Sequence, residues 1–192
     1  EEVSDVMLRA LVRGGGKTVT IAPEAGNLRV RRLLGKRLSD ERIFDVCEQI
    51  FGLGAENLKM YFMIGVPTET DDEALEVAVF TEKIRQIQLR WARERGRMGT
   101  LGINLGIYVP KPDLPLGRLP GAELGDVKKR LKKVVHALER IPNTQVNVSS
   151  PDLARAQGIL SMSGPQASAY LLELHQNGGQ WRHANRAWDA LN

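Results

Sequence analysis

The chain has 192 residues, 42% of them hydrophobic and 26% charged, with 27 lysines and arginines against 23 acidic residues for a formal charge of +4. That length and apolar content suffice for one domain with a real core, and so small a basic excess is weak support for a nucleic-acid partner. Cys47 is the one cysteine, which excludes an intrachain disulfide and any cysteine-ligated zinc or iron–sulfur centre built by this chain alone, and no apolar run is long enough for a transmembrane helix.

With no signal peptide visible, a cytoplasmic setting and no membrane partner are expected. Residues Glu1 to Arg13 read as a helix without a lead-in, and the natural protein is expected to extend upstream. Three strand-like runs follow, Thr18–Ala22, Leu58–Ile64 and Leu101–Val109, about 40 residues apart with helical patterns between them. That rhythm predicts βαβ units and a parallel sheet. The second run is almost continuously apolar, as in a strand covered on both faces.

Ser39, with Asp40 and Glu41 behind it, opens a helix whose stripe is Ile43, Val46, Cys47 and Ile50, and Gly54 is placed to stop it. Thr70-Asp71-Asp72-Glu73 fits a capping box at the head of a helix running to Arg95, broken by Gly96 and Gly99. A proline- and glycine-rich loop leads to an amphipathic helix over Asp126–Arg140, then a short strand candidate at Thr144–Val148. Ser150-Pro151 pairs an N-cap with a proline at N1, and the tail reads as two or three short helices.

Ligands of parallel βα folds bind at the C-terminal strand ends. Three polar segments fall there: Ala22 to Asn27, Gly65 to Thr70, and Pro110-Lys111-Pro112. Glu24 is suited to an ammonium group or ribose hydroxyls; on a purely structural reading it caps the next turn, with Asn27 in a left-handed conformation. Gly65 lets a flat ring approach the backbone, or else Gly65-x-Pro67 with Glu69 and Thr70 is only a well-capped loop. Lys111 reads as an anion contact or a solvated lysine. Lys59 and Tyr61 share one side of their strand, where an unpaired lysine is costly unless functional.

The cluster Lys128, Lys129, Arg130, Lys132 and Lys133 reads as the solvated face of a helix. Arg29, Arg31, Arg32, Lys36 and Arg37 follow the first rim segment closely enough to reach a carboxylate or phosphate there. Cys47 reads as core, and the three histidines show no metal-ligand spacing.

Thr20-Ile21-Ala22-Pro23-Glu24-Ala25-Gly26-Asn27, with Arg29 to Lys36, resembles the fourth-strand region of a radical S-adenosylmethionine subfamily, which often reads APEAGS, then an arginine-rich helix, then a lysine. Lys59-x-Tyr61-Phe62-Met63-Ile64-Gly65-x-Pro67-Thr68-Glu69-Thr70 is similar to its highly specific fifth-strand motif, and Val109-Pro110-Lys111-Pro112 to its sixth-strand motif. The tail from Ser150 to Trp181 resembles the family's C-terminal region. The chain departs from the family at Asn27, where serine is usual, and at Asp113 to Gly117, where a Thr-Pro-Phe-Gln-Trp-like stretch is common.

The resemblance implies an α/β fold: a partial (β/α)6 TIM-like barrel, strands four to six, over 1–122, and a smaller, mainly helical extension over 123–192. It implies an Fe–S oxidoreductase of a type often preceded by a cobalamin-binding domain. In the family a CxxxCxxC loop holds a 4Fe–4S cluster that cleaves S-adenosylmethionine to a 5′-deoxyadenosyl radical, which abstracts hydrogen from a substrate. That loop is absent here, so the upstream half of the protein is the expected partner, this chain alone is expected to be inactive, and cobalamin is an optional further cofactor. Carried over by position, Glu24, Asn27, Lys36, Ile64, Gly65, Pro67, Glu69 and Thr70 are cofactor contacts, and Lys59, Tyr61 and Lys111 face the substrate.

An RNA-binding part of a tRNA- or ribosome-modifying enzyme, using the two basic clusters, is the alternative. A third reading makes Lys59 a Schiff-base nucleophile. Three parallel strands leave an edge unpaired, so dimerisation of the fragment is expected.

Overall fold

A computed structural model describes residues 5–14, 16–119 and 121–189. After the helix α1 (Asp5–Arg13), the chain alternates strand and helix: β1 (Thr18–Glu24), α2 (Leu28–Leu33), α3 (Asp40–Gly52), β2 (Asn57–Ile64), α4 (Asp71–Arg95), β3 (Leu101–Ile107), α5 (Leu124–Leu138) and β4 (Thr144–Val148). The tail folds into α6 (Pro151–Met162), α7 (Ala167–Gln176) and α8 (Ala184–Asp189). The four strands form one parallel sheet in the order β1-β2-β3-β4, as consecutive βαβ units require.

Helix boundaries follow their local chemistry. Ser39 caps α3, accepting from the Arg42 N–H. Thr70 and Glu73 form a reciprocal capping box on α4, and Gly96, at φ 65°, ends it in the left-handed conformation only glycine adopts freely. Ser150 accepts from the Leu153 N–H while Pro151 occupies the first turn of α6.

One apolar cluster joins the sheet to α1, α3, α4 and α5. It takes Leu58, Met60, Phe62 and Ile64 from β2, Leu101, Ile103 and Leu105 from β3, and Val127, Leu131, Val134 and Leu138 from α5. Cys47 is buried in it, where desolvation pushes the thiol up to about 12, so it stays protonated and inert. A second, smaller cluster (Ala156, Ile159, Tyr170, Leu174 and Ala187) holds α6, α7 and α8 together.

The expectation that β2 is covered on both faces is corrected. Among the described residues the helices of the main core pack on one face; on the other, Tyr61 is 42% exposed. Buried and more open positions alternate along β2 and β3, and the apolar look of β2 comes from Tyr61 and Met63 on the open side. No helix among the described residues is long and apolar enough to cross a membrane.

Candidate functional site

The first rim segment is shaped by Pro23, which has no N–H to give to the sheet. Pairing with β2 slips there: Ile21 partners Met60, and the next partnered residue is Glu24, opposite Phe62. The irregularity leaves Glu24 at φ 70°, and its carboxylate lies 3.7 Å from the Lys36 ammonium. Asn27 is extended instead, at φ −89°, and caps α2: its Oδ1 accepts from Arg29 and Val30 N–H while its Nδ2 donates to Glu76 Oε1 at 2.7 Å. The purely structural reading of these two residues is thus inverted, with Glu24 left-handed and Asn27 the cap.

Gly26 serves close approach rather than turning. A Cβ there would sit 2.4 Å from the Val77 backbone nitrogen, so the segment is pressed onto α4. Arg31, fully buried, holds it in place by donating to the Ala25 and Gly26 carbonyls at 2.9 Å each, and also to Leu38 O and Asp40. Its guanidinium also lies over the Phe80 ring, 5.4 Å from the centroid.

The second segment starts at Gly65, at φ 83°, where a Cβ would meet Val127 of α5 at 3.0 Å. Its N–H donates to Glu69 Oε2 at 2.7 Å, and the Ile64 carbonyl accepts the Tyr108 N–H at 2.9 Å. Glu69 is 6% exposed and is also held by Arg130 at 3.1 Å. Burial raises the Glu69 carboxyl above its ordinary range, opposed by the Gly65 N–H and Arg130. Arg130 reaches Asp71 as well, and Lys133 closes the chain of charges on Asp71, which they hold below its usual range.

The two segments are cross-linked. Arg29 makes a bidentate pair with Glu73, at 2.5 and 2.6 Å, and donates to Thr68 Oγ1 and to the Thr68 carbonyl. This clamp keeps the Glu73 carboxyl down at about 2. Thr68 is itself at φ 67°, which costs a β-branched residue energy unless its surroundings impose it. Two of the three non-glycine residues described at positive φ, Glu24 and Thr68, therefore lie on this rim. Stored strain of this kind clusters at binding and catalytic sites.

A small apolar knot joins the segments: Ala25, Val30 and Val66, with Met63, Tyr108 and Leu116 packed against them. Tyr108 also lines a cavity of about 650 Å³ beside Gly65, Ile107, Pro110, Arg155 and Trp188. Its hydroxyl is buried with no hydrogen-bond partner. Lys111 is exposed on the loop beyond, and its ammonium has no partner among the described residues. Lys59 and Tyr61 sit lower, mid-way along the open face, with the lysine nitrogen 5.7 Å from the ring centroid.

The predicted residues therefore fall into three groups. Glu24 and Lys36 pair with each other; Asn27, Glu69 and Thr70 are tied into caps and ion pairs that hold the rim; Ile64 and Pro67 have buried side chains beside Gly65. Of the basic run after β1, Arg29 and Arg31 bind the protein's own carboxylates and carbonyls. The solvated reading of the second basic cluster is corrected at Arg130, which turns inward; Lys128, Lys129 and Lys133 stay on the surface, paired with Asp152, Asp126 and Asp71. Sequence reasoning passed over Tyr108, although its place at the end of β3 was a usable signal. Among the described residues no group of three or more His, Cys, Asp or Glu side chains is arranged to hold a metal ion.

No family model matches the chain. Over 155 residues it is 29% identical to an uncharacterized protein of Methanocaldococcus jannaschii. The match covers 81% of this chain and 32% of that relative, so the chain spans about a third of its length.

Proposed function

We propose that this chain is the C-terminal part of a radical S-adenosylmethionine Fe–S oxidoreductase, with β1, β2 and β3 as strands four to six of a partial (β/α)6 barrel. The observation that carries the reading is the gathering of polar segments at the strand ends of a parallel sheet, the first two locked together by the Arg29–Glu73–Thr68 clamp and the Ala25–Val30–Val66 knot, and the third following Tyr108, which packs against that knot. Lips of this kind are where parallel βα folds bind their ligands. The open polar face supports the same reading, since it corresponds to the interior of a barrel that other strands would close. The presence of a similar stretch within a relative about two and a half times as long is consistent with a longer protein.

The residues present fit the nucleoside part of the cofactor. The cavity beside Gly65 lies within the usual range of about 300–1,000 Å³ for small-molecule sites, and Tyr108 is among the residues that line it. Glu24, with Lys36, would offer its carboxylate to hydroxyls or an ammonium, and Gly65 would bring bare backbone to a flat ring. Glu69 and Arg130 hold that backbone in place. Once bound and cleaved, the cofactor supplies a carbon radical able to abstract hydrogen.

The residues present do not fit the cluster. Cys47 is buried on α3 with a thiol raised by desolvation, so cluster ligands would come from outside this chain. The test is to express the longer protein, reconstitute it with iron and sulfide, reduce it and assay 5′-deoxyadenosine. Formation of 5′-deoxyadenosine is expected; a longer protein with no CxxxCxxC sequence, or one that forms no 5′-deoxyadenosine, overturns the proposal.

A further inference from the structure

All four strands present polar side chains to the sheet's open face, with Tyr61 and Met63 of β2 among them. Register places Thr20, Lys59, Gly102 and Gln145 in one row across the four strands, and Tyr61, Asn104 and Asn147 in the next. Parallel sheets are ordinarily covered on both faces, by helices whose contacting residues are apolar. Apart from Tyr61, and Met63 one row further on, these rows hold threonine, lysine, glycine, glutamine and asparagine, which offer such helices little to bury and for the same reason disfavour a second copy docking by apolar contact.

The face is also hollowed. On β3 its positions read Gly102, Asn104 and Gly106, so that strand itself contributes a single side chain, an amide, to the floor. Longer side chains form the walls: Lys59, Tyr61 and Met63 from β2, Gln145 and Asn147 from β4. The Lys59 stem lies over Gly102, its Cγ 3.5 Å from where a Cβ there would stand, an ordinary contact distance. The trough spans two strand spacings, about 10 Å, and about 13 Å along β3, the dimensions of a small molecule rather than a macromolecule.

Its charge is one-sided. Lys59 is the only charged side chain that β2, β3 and β4 present to this face; its contact is with the Tyr61 ring, and it has no carboxylate partner among the described residues. The amides beside it are only loosely engaged, Asn147 Nδ2 reaching Asn104 Oδ1 at 3.5 Å and Asn104 Nδ2 reaching Met60 O at 3.4 Å. They can turn to a ligand at little cost.

We infer that this trough binds the substrate, and that the substrate is a small organic acid whose anionic group meets Lys59 and whose hydroxyl or amide groups meet Asn104 and Asn147. The inference rests on the reading above in taking the open face as the reacting side, and it adds the substrate's chemical class and two contacts.

The test is a ¹H–¹⁵N NMR titration of the 192-residue chain with glutarate and, in parallel, with glutaramide, its uncharged counterpart. Saturable shifts at Lys59, Tyr61, Asn104, Gly106 and Asn147 are expected with glutarate, and binding at least about tenfold weaker with glutaramide, or about 1.4 kcal/mol. Lys59→Met should weaken glutarate binding by a similar factor, and Lys59→Arg should retain it. Equal response to the two probes, shifts centred on the basic face of α5, or trough signals that move with protein concentration instead of glutarate would each overturn the inference. The probe comparison uses the unaltered chain, so it stands even if a variant fails to fold. The titration reads the trough alone, whereas 5′-deoxyadenosine formation by the longer protein reads the cofactor reading alone, so the two failures are distinguishable.

Discussion

On its helix side β2 presents Leu58, Met60, Phe62 and Ile64, none more than 1% exposed, while on the other side the same strand presents Lys59, Tyr61 and Met63, with Tyr61 42% exposed. The first side meets α3, α4 and α5 in one continuous apolar cluster. The second meets only an apolar knot near the strand ends and is otherwise polar. Stability and chemistry are thus divided between alternate residues of one strand, because side chains of an extended chain point to opposite faces in turn. A one-residue change of register would exchange the two sets, so the hydrophobic side also fixes where the polar groups stand.

The sharpest way to break this comparison is to truncate neighbouring aromatic residues on opposite faces. Phe62→Ala removes a ring packed edge-on against Phe80, with centroids 6.1 Å apart, and should cost about 3–5 kcal/mol. Tyr61→Ala, one residue earlier, should cost less than about 0.5 kcal/mol, as for surface sites generally. Urea denaturation of the two variants measures both; similar losses would show that the open face is covered in solution.

Arg130→Met comes next, at about 3 kcal/mol near neutral pH, because it strands the buried Glu69 carboxylate without its partner. The pH dependence has a defined sign. Burial already raises the Glu69 carboxyl in the folded state, so what its proton contributes to stability is fully present below the unfolded value of 4.5 and is lost as pH rises through the folded value. Losing Arg130 raises that carboxyl further. The gap between variant and parent should therefore widen from pH 4.5 towards neutrality, measured by denaturation at a series of pH values; a gap independent of pH would assign Arg130 to packing alone.

A smaller effect tests how the rim is tied to the covered side. Asn27→Ala removes the cap of α2 and the contact with Glu76 on α4, and should cost about 1 kcal/mol. Asn27→Ser should recover most of it, since serine caps equally well. Thermal unfolding of the pair gives the comparison, and equal losses would place the effect in the Glu76 contact instead of the cap.

Much of the fold was legible in the chain because it depends on neighbours in sequence. Three strands, the parallel order, the caps at Ser39, Thr70 and Ser150 and the helical tail follow from alternation, helical periodicity and residues that satisfy free N–H groups a few positions away. The placing of Glu24 and Gly65 at neighbouring strand ends follows from topology once the strands are parallel, whereas Tyr108, at the end of β3, was not picked out.

What tertiary structure alone decided is which polar group meets which. Pairs such as Arg29 with Glu73, Glu69 with Arg130, and Asn27 with Glu76 are 44, 61 and 49 residues apart, and no local pattern distinguishes them from solvated charges. Glu24 took the left-handed conformation because Pro23 breaks the pairing with a strand that lies more than 30 residues further on. Residue type and spacing determine what a segment can form locally; ion pairs, close contacts of Gly26 with α4 and the choice of the open face depend on energies that exist only after distant segments are packed together.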